Sequence, residues 1–208
     1  MEPQTASSGK FIVFEGLDGC GKTTQAGLLS GYFDRCGIDH ISTYEPSAHN
    51  PIGNLIRQYL HGGGNKMENE TLGLLFAADR IQHTLEIIIP ALLKGKYVIC
   101  DRYYYSNFAY QSYECKIYNK YVMEKIRPDL VIFIDVSPEE CLNRIKTRKK
   151  SKSPYESKNE LVRVRQNYLE IINKLKNTEN IITINADYLT ETQLHEKIIT
   201  YYKMNCLH

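Results

Sequence analysis

The sequence predicts an α/β fold in three layers, with a five-stranded parallel sheet flanked by helices. Five short runs of apolar and β-branched residues recur without alternation, as in strands that are buried on both faces. Longer segments with helical spacing separate them, and this order is typical of a parallel sheet with right-handed crossovers. The runs are Phe11–Phe14, Ile41–Tyr44, Tyr97–Cys100, Leu130–Val136 and Ile181–Ile184.

Four segments between and after these runs carry helical signals. After the first run, apolar residues recur at intervals of three and four, and Gly37 favours a helix end there. The segment Leu72–Leu93 is rich in apolar residues and contains Pro90, which we expect to kink or divide the helix. Ser137 and Thr190 each begin a capping pattern, and the second pattern precedes a final helix.

The composition predicts one globular domain over residues 1–208. Hydrophobic residues make up 42% and charged residues 24% of the 208, which is ordinary globular usage. The net charge of +2 is too balanced to indicate nucleic acid as the main partner. Six cysteines without Cys-x-x-Cys spacing indicate a reduced, cytoplasmic protein. No apolar run reaches the roughly 18 residues that a membrane span needs, so we expect no contact with a membrane.

A phosphate-binding motif follows the first strand directly. Gly16–Thr23 matches the pattern Gly-x-x-x-x-Gly-Lys-Ser/Thr in full. Its glycines let backbone N–H groups point at phosphate oxygens, and the next helix presents its positive end to the same anion. The Lys22 ammonium would neutralise β- and γ-phosphate charge, and the Thr23 hydroxyl can bind Mg²⁺. The motif therefore predicts a P-loop NTPase fold, with a triphosphate held by Gly16, Leu17, Asp18, Gly19, Cys20, Gly21, Lys22, Thr23 and Thr24.

Five groups of residues resemble, in register, the landmarks of the thymidylate kinase family. They are Phe14–Gln25; Glu45–Pro46 with Ile52–Gly53; Leu75–Arg80; Asp101–Tyr103 with Ser106, Ala109, Tyr110 and Gln111; and Arg127–Leu130 with Asp135–Pro138. The resemblance covers nearly the whole chain. It implies phosphorylation of dTMP to dTDP with ATP and Mg²⁺, small-molecule substrates only, and a homodimer.

The resemblance assigns roles around the third strand. Arg102 would contact the acceptor monophosphate, which agrees with the need for cations that hold two phosphates together. Asp101 ends the strand, where a carboxylate could order Mg²⁺ through water, so Thr23 and Asp101 form the predicted metal site. Asp18 resembles the acidic residue that approaches the acceptor sugar. The predicted catalytic residues are Lys22, Arg102, Arg148, Asp18 and Asp101.

Phe76 and Arg80 are the predicted base-recognition residues. They lie four positions apart and therefore on one helical face. By resemblance, Phe76 stacks on thymine and Arg80 donates to its O4, which cytosine lacks. On helical periodicity alone, a core position for Phe76 is about equally expected. The rest of the predicted dTMP site is Asp18, Arg102, Ser106, Asn107, Tyr110 and Gln111, with Asn107 and Tyr110 beside the sugar.

A basic segment follows the fourth strand. Residues 146–158 hold six basic residues and one acid, and we expect a short lid over about 144–158. By resemblance, Arg144 and Arg148 begin this lid and close over ATP. Gly19 stands where some family members carry an arginine, so we expect the lid to supply the transition-state cation. Arg148 is favoured over the neighbouring lysines because a guanidinium suits phosphate.

Two departures from the family pattern concern charged residues. Tyr44 stands where many family members have an arginine, and Arg57 is a candidate to replace it. The lid has Ser153–Glu156 where Asp-Arg-x-Glu is frequent. These differences affect how the acceptor phosphate is held and how the lid closes.

Two other functions stay open at the level of sequence. A deoxynucleoside kinase would use a carboxylate such as Glu45 to deprotonate the sugar 5′-hydroxyl. A catalytically silent nucleotide-binding or nucleic-acid-binding protein would use the basic segment, although the intact Lys22 and Arg102 argue against it. A GTPase would carry Asn-Lys-x-Asp, and none of the three Asn-Lys dipeptides is followed by that aspartate.

Overall fold

A computed structural model describes residues 9–62, 67–147 and 155–206. Its centre is a five-stranded sheet with the order β2-β3-β1-β4-β5, and every neighbouring pair is parallel. The strands are β1 (Phe11–Gly16), β2 (His40–Tyr44), β3 (Tyr97–Asp101), β4 (Leu130–Asp135) and β5 (Ile181–Asn185). The predicted fold class and the five predicted strands are confirmed.

The central strands β1 and β4 are continuous apolar runs because they are buried. Every residue of β1 and β4 is buried, because helices cover both faces of the sheet there. The edge strands β2 and β5 each have one buried residue among five. All five carboxyl ends lie along one edge of the sheet, which is where ligands bind in open α/β folds.

Helices connect the strands and pack on both faces. They are α1 (Lys22–Cys36), α2 (Pro51–Leu60), α3 (Asn69–His83), α4 (Ile89–Leu93), α5 (Tyr104–Tyr110), α6 (Lys116–Lys125), α7 (Pro138–Lys146), α8 (Lys158–Leu175) and α9 (Glu191–Cys206). Helix α1 ends just before Gly37, as predicted. Helices α7 and α9 begin after the predicted capping residues Ser137 and Thr190. Helices α2, α5, α6 and α8 carried no prediction.

Pro90 divides the long helix, as predicted. Helix α3 ends at His83, and the chain continues as a π-helical turn over Thr84–Ile88 before α4 begins. A proline ring has no N–H to donate and clashes with the carbonyl group four residues earlier, here that of Glu86. The wider π turn in front of Pro90 accommodates this conflict without ending the helical path.

Helix α8 begins at Lys158, the last residue of the basic segment. Ser157 caps it by accepting a hydrogen bond from the backbone N–H of Glu160 at 3.2 Å. This Ser-x-x-Glu spacing is a capping signal that could have predicted the helix. Arg148 and the neighbouring lysines of the predicted lid lie outside the described residues, which resume at Tyr155.

An aromatic cluster anchors α1 and α9 to one face of the sheet. The ring of Phe33 lies 5.3 Å from that of Tyr97 on β3 and 4.9 Å from that of Tyr202 on α9, between centroids. Phe33 and Tyr202 have no exposed surface. Such pairs stabilise a fold beyond their buried area.

Replacing Phe33 should therefore destabilise the whole domain. We expect Phe33→Ala to lower the free energy of unfolding by about 3–5 kcal/mol, measured by urea denaturation, because it leaves a cavity among packed rings. Tyr188→Ala is the matched control, since Tyr188 is 96% exposed and should change stability little. A loss below about 1 kcal/mol for Phe33→Ala would contradict this role.

Candidate active site

The phosphate-binding loop joins β1 to α1 at the carboxyl edge of the sheet. Gly16, Gly19 and Gly21 have φ angles of +144°, +87° and +104°. A Cβ on Gly16 would lie 2.5 Å from the carbonyl oxygen of Ile134, and one on Gly19 would lie 2.6 Å from that of Cys141. Glycine is required at these positions, and the loop forms an anion cradle at the amino end of α1.

Lys22 turns its ammonium group back across this loop. Its Nζ donates to the carbonyl oxygens of Gly16 and Leu17 at 3.0 and 2.8 Å. The side chain is buried although it is charged. A cation held across the cradle can neutralise the charge of phosphate oxygens there.

Thr23 and Asp101 bring oxygen atoms together beside the loop. The Thr23 hydroxyl donates to Oδ2 of Asp101 at 2.5 Å. Among the described residues, Oδ1 of Asp101 is buried with no hydrogen-bond partner. Carboxylate and hydroxyl oxygens suit Mg²⁺, and an unpartnered buried acceptor calls for a cation or a donor. The two residues therefore fit the predicted metal site.

Arg102 projects into the cleft from the turn after β3. Its φ of +76° is unusual for a residue with a side chain and orients the guanidinium back towards the loop. Nη2 donates to Oδ1 of Asp18 at 2.6 Å, and Nη1 donates to the Ser106 hydroxyl at 2.9 Å. The guanidinium also lies over the ring of Tyr110, 5.1 Å from its centroid. The cation is thus held in one orientation.

The buried carboxylate of Glu15 binds the residues that follow Arg102, and the sequence did not predict this role. Its carboxylate accepts from the backbone N–H of Tyr103 at 2.8 Å and from the hydroxyls of Ser106 and Tyr168 at 2.7 and 2.8 Å. Burial raises the pKa of the Glu15 carboxyl, and the charge of Arg102 with these hydrogen bonds offsets only part of the shift. An acid as the fifth residue of an otherwise apolar strand is a signal that could have revealed it.

Asp18 is the anionic partner of Arg102. Burial by itself would raise the pKa of its carboxyl, but the positive charges of Arg102 and Lys22, with hydrogen bonds from Tyr110 and Arg102, outweigh it and lower the pKa. The carboxylate is therefore ionised at neutral pH. Tyr110 donates to its Oδ2 at 3.1 Å, which orients the group towards the cleft.

Most of the predicted acceptor residues line one cavity. It is lined by seven of them, namely Asp18, Phe76, Arg102, Ser106, Asn107, Tyr110 and Gln111. Phe76 is half-buried, with a face on this cavity, so it is not purely a core residue. Further lining residues that were not predicted include Pro46, Leu60 and Tyr155. Arg57, the candidate replacement for a missing arginine, also lines the cavity.

Arg80 differs from the other predicted acceptor residues in its position. It is 1% exposed and is not among the residues that line the cavity. Its Nε donates to Glu45 at 2.7 Å, and Nη1 donates to Asn119 at 2.5 Å. The guanidinium lies behind the wall formed by Asn107, to which Nη1 also donates at 3.3 Å. Contact between Arg80 and a base stays a prediction.

A second pocket lies on the other side of the phosphate loop. It is lined by Gly19, Cys20, Gly21, Thr24, Gln25, Arg144, Ala186, Leu189, Glu191 and Leu194. Arg144 donates to the carbonyl oxygen of Cys20 at 3.4 Å and to Glu140 at 2.8 Å. The predicted ATP residues Thr24 and Arg144 therefore share one pocket with the loop. Asp18 of the loop lines the acceptor cavity, whereas Gly19, Cys20 and Gly21 line this pocket, so the loop lies between the two.

Comparison with known proteins agrees with this geometry. The family model described as thymidylate kinase matches residues 14–198. The chain belongs to the thymidylate kinase family. A probable thymidylate kinase of Methanococcus aeolicus is 43% identical over 198 residues, which cover 91% of this chain and 94% of that protein. A probable thymidylate kinase of Pyrococcus abyssi is 39% identical over 208 residues, which cover 96% of this chain and 98% of that protein.

A thymidylate kinase of Caldanaerobacter subterraneus is 37% identical over 171 residues, which cover 79% of this chain and 82% of that protein. Membership of the family confirms the resemblance drawn from the five groups of residues. None of the helices that the structure describes has the length and apolar character needed to cross a bilayer.

The position that departs from the family pattern is occupied by an aromatic ring. Tyr44, at the end of β2, is 41% exposed, and the guanidinium of Arg57 on α2 lies 5.3 Å from its ring centroid. A ring beneath a guanidinium restricts its orientation and stabilises its charge. Arg57 is thereby directed along the cavity that it lines.

The Tyr168 hydroxyl offers a test of the network under Arg102. It bonds to Glu15 and Ser106 at 2.8 Å each, and Arg102 donates to it at 3.4 Å. We expect Tyr168→Phe to lower the free energy of unfolding by about 1–3 kcal/mol, because a buried carboxylate loses a donor. Urea denaturation of the wild type and the variant measures this change in the free energy of unfolding.

Tyr188→Phe is the control for loss of a hydroxyl, since Tyr188 is exposed and the change should be neutral. Equal stability of Tyr168→Phe and Tyr188→Phe would show that Glu15 does not depend on this donor.

Proposed function

We propose that the chain transfers the γ-phosphoryl group of ATP to the 5′-phosphate of dTMP, forming ADP and dTDP. The observation that carries this proposal is the pair of pockets on either side of one phosphate loop, with Arg102 facing the acceptor side. A donor triphosphate and an acceptor monophosphate would then meet in line across the loop. Family membership supports the same reaction class, a kinase phosphotransferase.

The charge-neutralising roles follow from the positions of the cations. Lys22 and the amino end of α1 would bind the β- and γ-phosphates, and Arg102 would bind the acceptor phosphate. Thr23 and Asp101 would hold Mg²⁺, which supplies charge neutralisation on the triphosphate. Asp18 would orient Arg102 and face the acceptor sugar. Each role is a matter of positioning, because phosphoryl transfer needs little covalent help from the protein.

The ATP side would involve the basic segment. Arg144 lines the pocket beside the loop and would lie against the nucleotide. Arg148 would supply the cation for the transition state, and its position four residues after Arg144 supports this role. Water would be excluded when this segment covers the donor.

The acceptor cavity suits a pyrimidine deoxynucleotide. Phe76 presents a ring on which a base can stack, and Asn107 and Gln111 present amide groups. Ser106 and Tyr110 lie beside Arg102, where the sugar and phosphate would bind. Arg80 would act on the base edge through Asn107, to which it donates.

Glu45 argues against a deoxynucleoside kinase. Its Oε2 accepts from Arg80 at 2.7 Å, and its Oε1 lies 3.2 Å from Nδ1 of His83. With 5% exposure it does not line the acceptor cavity. A general base must reach the proton it removes, and this carboxylate is buried behind the cavity and fully engaged. The monophosphate acceptor is favoured.

We also propose a cytoplasmic homodimer without a nucleic-acid or membrane partner. Helices α2, α3 and α6 pack as neighbours and expose Leu55, Leu74 and Ile117 at 43%, 50% and 69%. Exposed apolar side chains on neighbouring helices are typical of an interface between subunits. The nearly balanced net charge gives no support for nucleic-acid binding.

Product analysis tests the reaction. Incubation with ATP and Mg²⁺ and, separately, thymidine, dTMP, dUMP, dCMP or UMP should yield dTDP from dTMP and leave thymidine unchanged. Lys22→Ala should abolish turnover, because the triphosphate loses its principal cation, while circular dichroism stays unchanged. Phosphorylation of thymidine instead, or wild-type rates from Lys22→Ala, would refute the assignment.

Arg57 should contribute mainly to acceptor binding. We expect Arg57→Ala to raise the KM for dTMP on the order of tenfold to a hundredfold with a smaller change in kcat, because a charge-assisted contact to phosphate is lost. Arg127→Ala is the control, as Arg127 is an exposed residue at the opposite edge of the sheet. An unchanged KM for dTMP would remove Arg57 from the acceptor site.

A further inference from the structure

The carboxylate of Asp79 is buried on α3 and contacts the segment before α2. Asp79 has no exposed surface and does not line the acceptor cavity. Its Oδ2 accepts from the backbone N–H of Ser47 at 2.9 Å, and its Oδ1 accepts from Nδ2 of Asn50 at 2.7 Å. Buried carboxylate oxygens are costly unless donors satisfy them, so these two contacts fix the segment against α3.

The orientation of the Asn50 amide follows from its two partners. Its Nδ2 donates to the Asp79 carboxylate, and its Oδ1 accepts from the backbone N–H of Gly53 at 2.9 Å. The second contact caps the first turn of α2. Reversal of the amide would place donor against donor at Gly53 and acceptor against acceptor at Asp79. Asp79 therefore holds Asn50 in its capping orientation.

The amino end of α2 packs directly on Asp79. A Cβ on Gly53 would lie 2.6 Å from Oδ1 of the carboxylate. None of residues 51–54, which form the first turn of α2, is acidic. A negative charge near the amino end of a helix is stabilising, and Asp79 supplies it from another element. The carboxylate therefore determines where α2 begins relative to α3.

Helix α2 carries side chains that line the acceptor cavity. Arg57 and Leu60 lie on α2, while α3 contributes Phe76 to the same cavity. The ring of Tyr44 restricts the orientation of the Arg57 guanidinium, but the position of its backbone depends on where α2 lies. Because Arg57 follows the cap by only two turns of one helix, a shift of the cap moves Arg57 relative to the cavity.

We propose that Asp79 is a positioning residue that holds Arg57 beside the acceptor cavity, where Arg57 binds the phosphate of the acceptor nucleotide. The inference rests on the proposed function, because it takes a nucleoside monophosphate as the occupant of that cavity. Asp79 contacts no substrate. It acts through the cap of α2, so its replacement should weaken binding of the acceptor phosphate more than binding of the base and the sugar.

The test is Asp79→Asn, which keeps the size of the side chain and removes one acceptor. The new amide accepts from only one of the two donors, and its own N–H group faces the other, on Ser47 or Asn50. Either the contact to Ser47 or the cap at Gly53 is lost, and the segment before α2 moves. We expect the KM for dTMP to rise by about threefold to tenfold, with kcat within about twofold, because Arg57 is displaced.

A double-mutant cycle with Arg57→Ala separates positioning from general support of the cavity. If Asp79 acts through Arg57, Asp79→Asn should change the KM for dTMP by less than about twofold in the Arg57→Ala background. Calorimetric titration with thymidine gives a second readout, because thymidine has no phosphate. Its affinities for the wild type and Asp79→Asn should agree within about twofold. Asp34→Asn on the exposed side of α1 is the control and should alter neither quantity.

Thermal unfolding checks that each variant is folded. If Asp79→Asn does not fold, Asn50→Ala enters the same cycle, because it removes the cap of α2 and the contact to Asp79 together. A folded variant with an unchanged KM for dTMP would overturn the inference. An equal loss in both backgrounds, or an equal loss of affinity for thymidine, would also overturn it, since either result indicates only general support of the cavity.

Binding measurements separate this inference from the proposed reaction. Wild-type protein that binds dTMP but forms no dTDP would refute the reaction. The calorimetric affinities for dTMP of the four proteins in the cycle would then still decide the role of Asp79. Wild-type protein that does not bind dTMP would overturn both.

Discussion

The acceptor side of this site depends on a carboxylate that is removed from water. Glu15 is 1% exposed, and burying such a charge costs several kcal/mol unless donors and a cation surround it. Backbone and hydroxyl donors from Tyr103, Ser106 and Tyr168 surround it, and Arg102 lies nearby. These bonds hold the chain just after Arg102, whose φ of +76° is unfavourable for a residue with a side chain. The buried charge and the strained turn therefore support each other.

The parts of the site that the sequence predicted consist of residues that lie close to one another in the sequence. The phosphate loop is a contiguous motif between a strand and a helix, and its glycines are required by backbone angles that the spacing implies. Five predicted residues likewise follow one strand and line one cavity once the strand is placed, namely Arg102, Ser106, Asn107, Tyr110 and Gln111. The central strands β1 and β4 were recognisable because both faces of the sheet are covered there, which makes them almost entirely apolar.

What could not be predicted depends on contacts between distant segments. Tyr168 reaches Glu15 across 153 positions, and the Arg80 to Asn119 contact spans 39. Helical spacing placed Arg80 on the same face as Phe76, but the buried partners of its guanidinium come from other elements. The short helices α5 and α6 were missed because their residues are polar and aromatic together, without a clear apolar stripe.

The charge of Arg102 alone does not make the acceptor cavity positive. Asp18 is ionised at neutral pH, because its pKa is lowered, and it pairs with Arg102 at 2.6 Å. The pair orients the guanidinium in advance, so little reorganisation is needed when a phosphate binds, but it carries no net charge. Attraction for the proposed acceptor phosphate would then have to come from other cations near the cavity. Arg57 lines it directly and Lys22 lies across the adjoining loop, which explains why a site with a preorganised arginine has further basic residues around it.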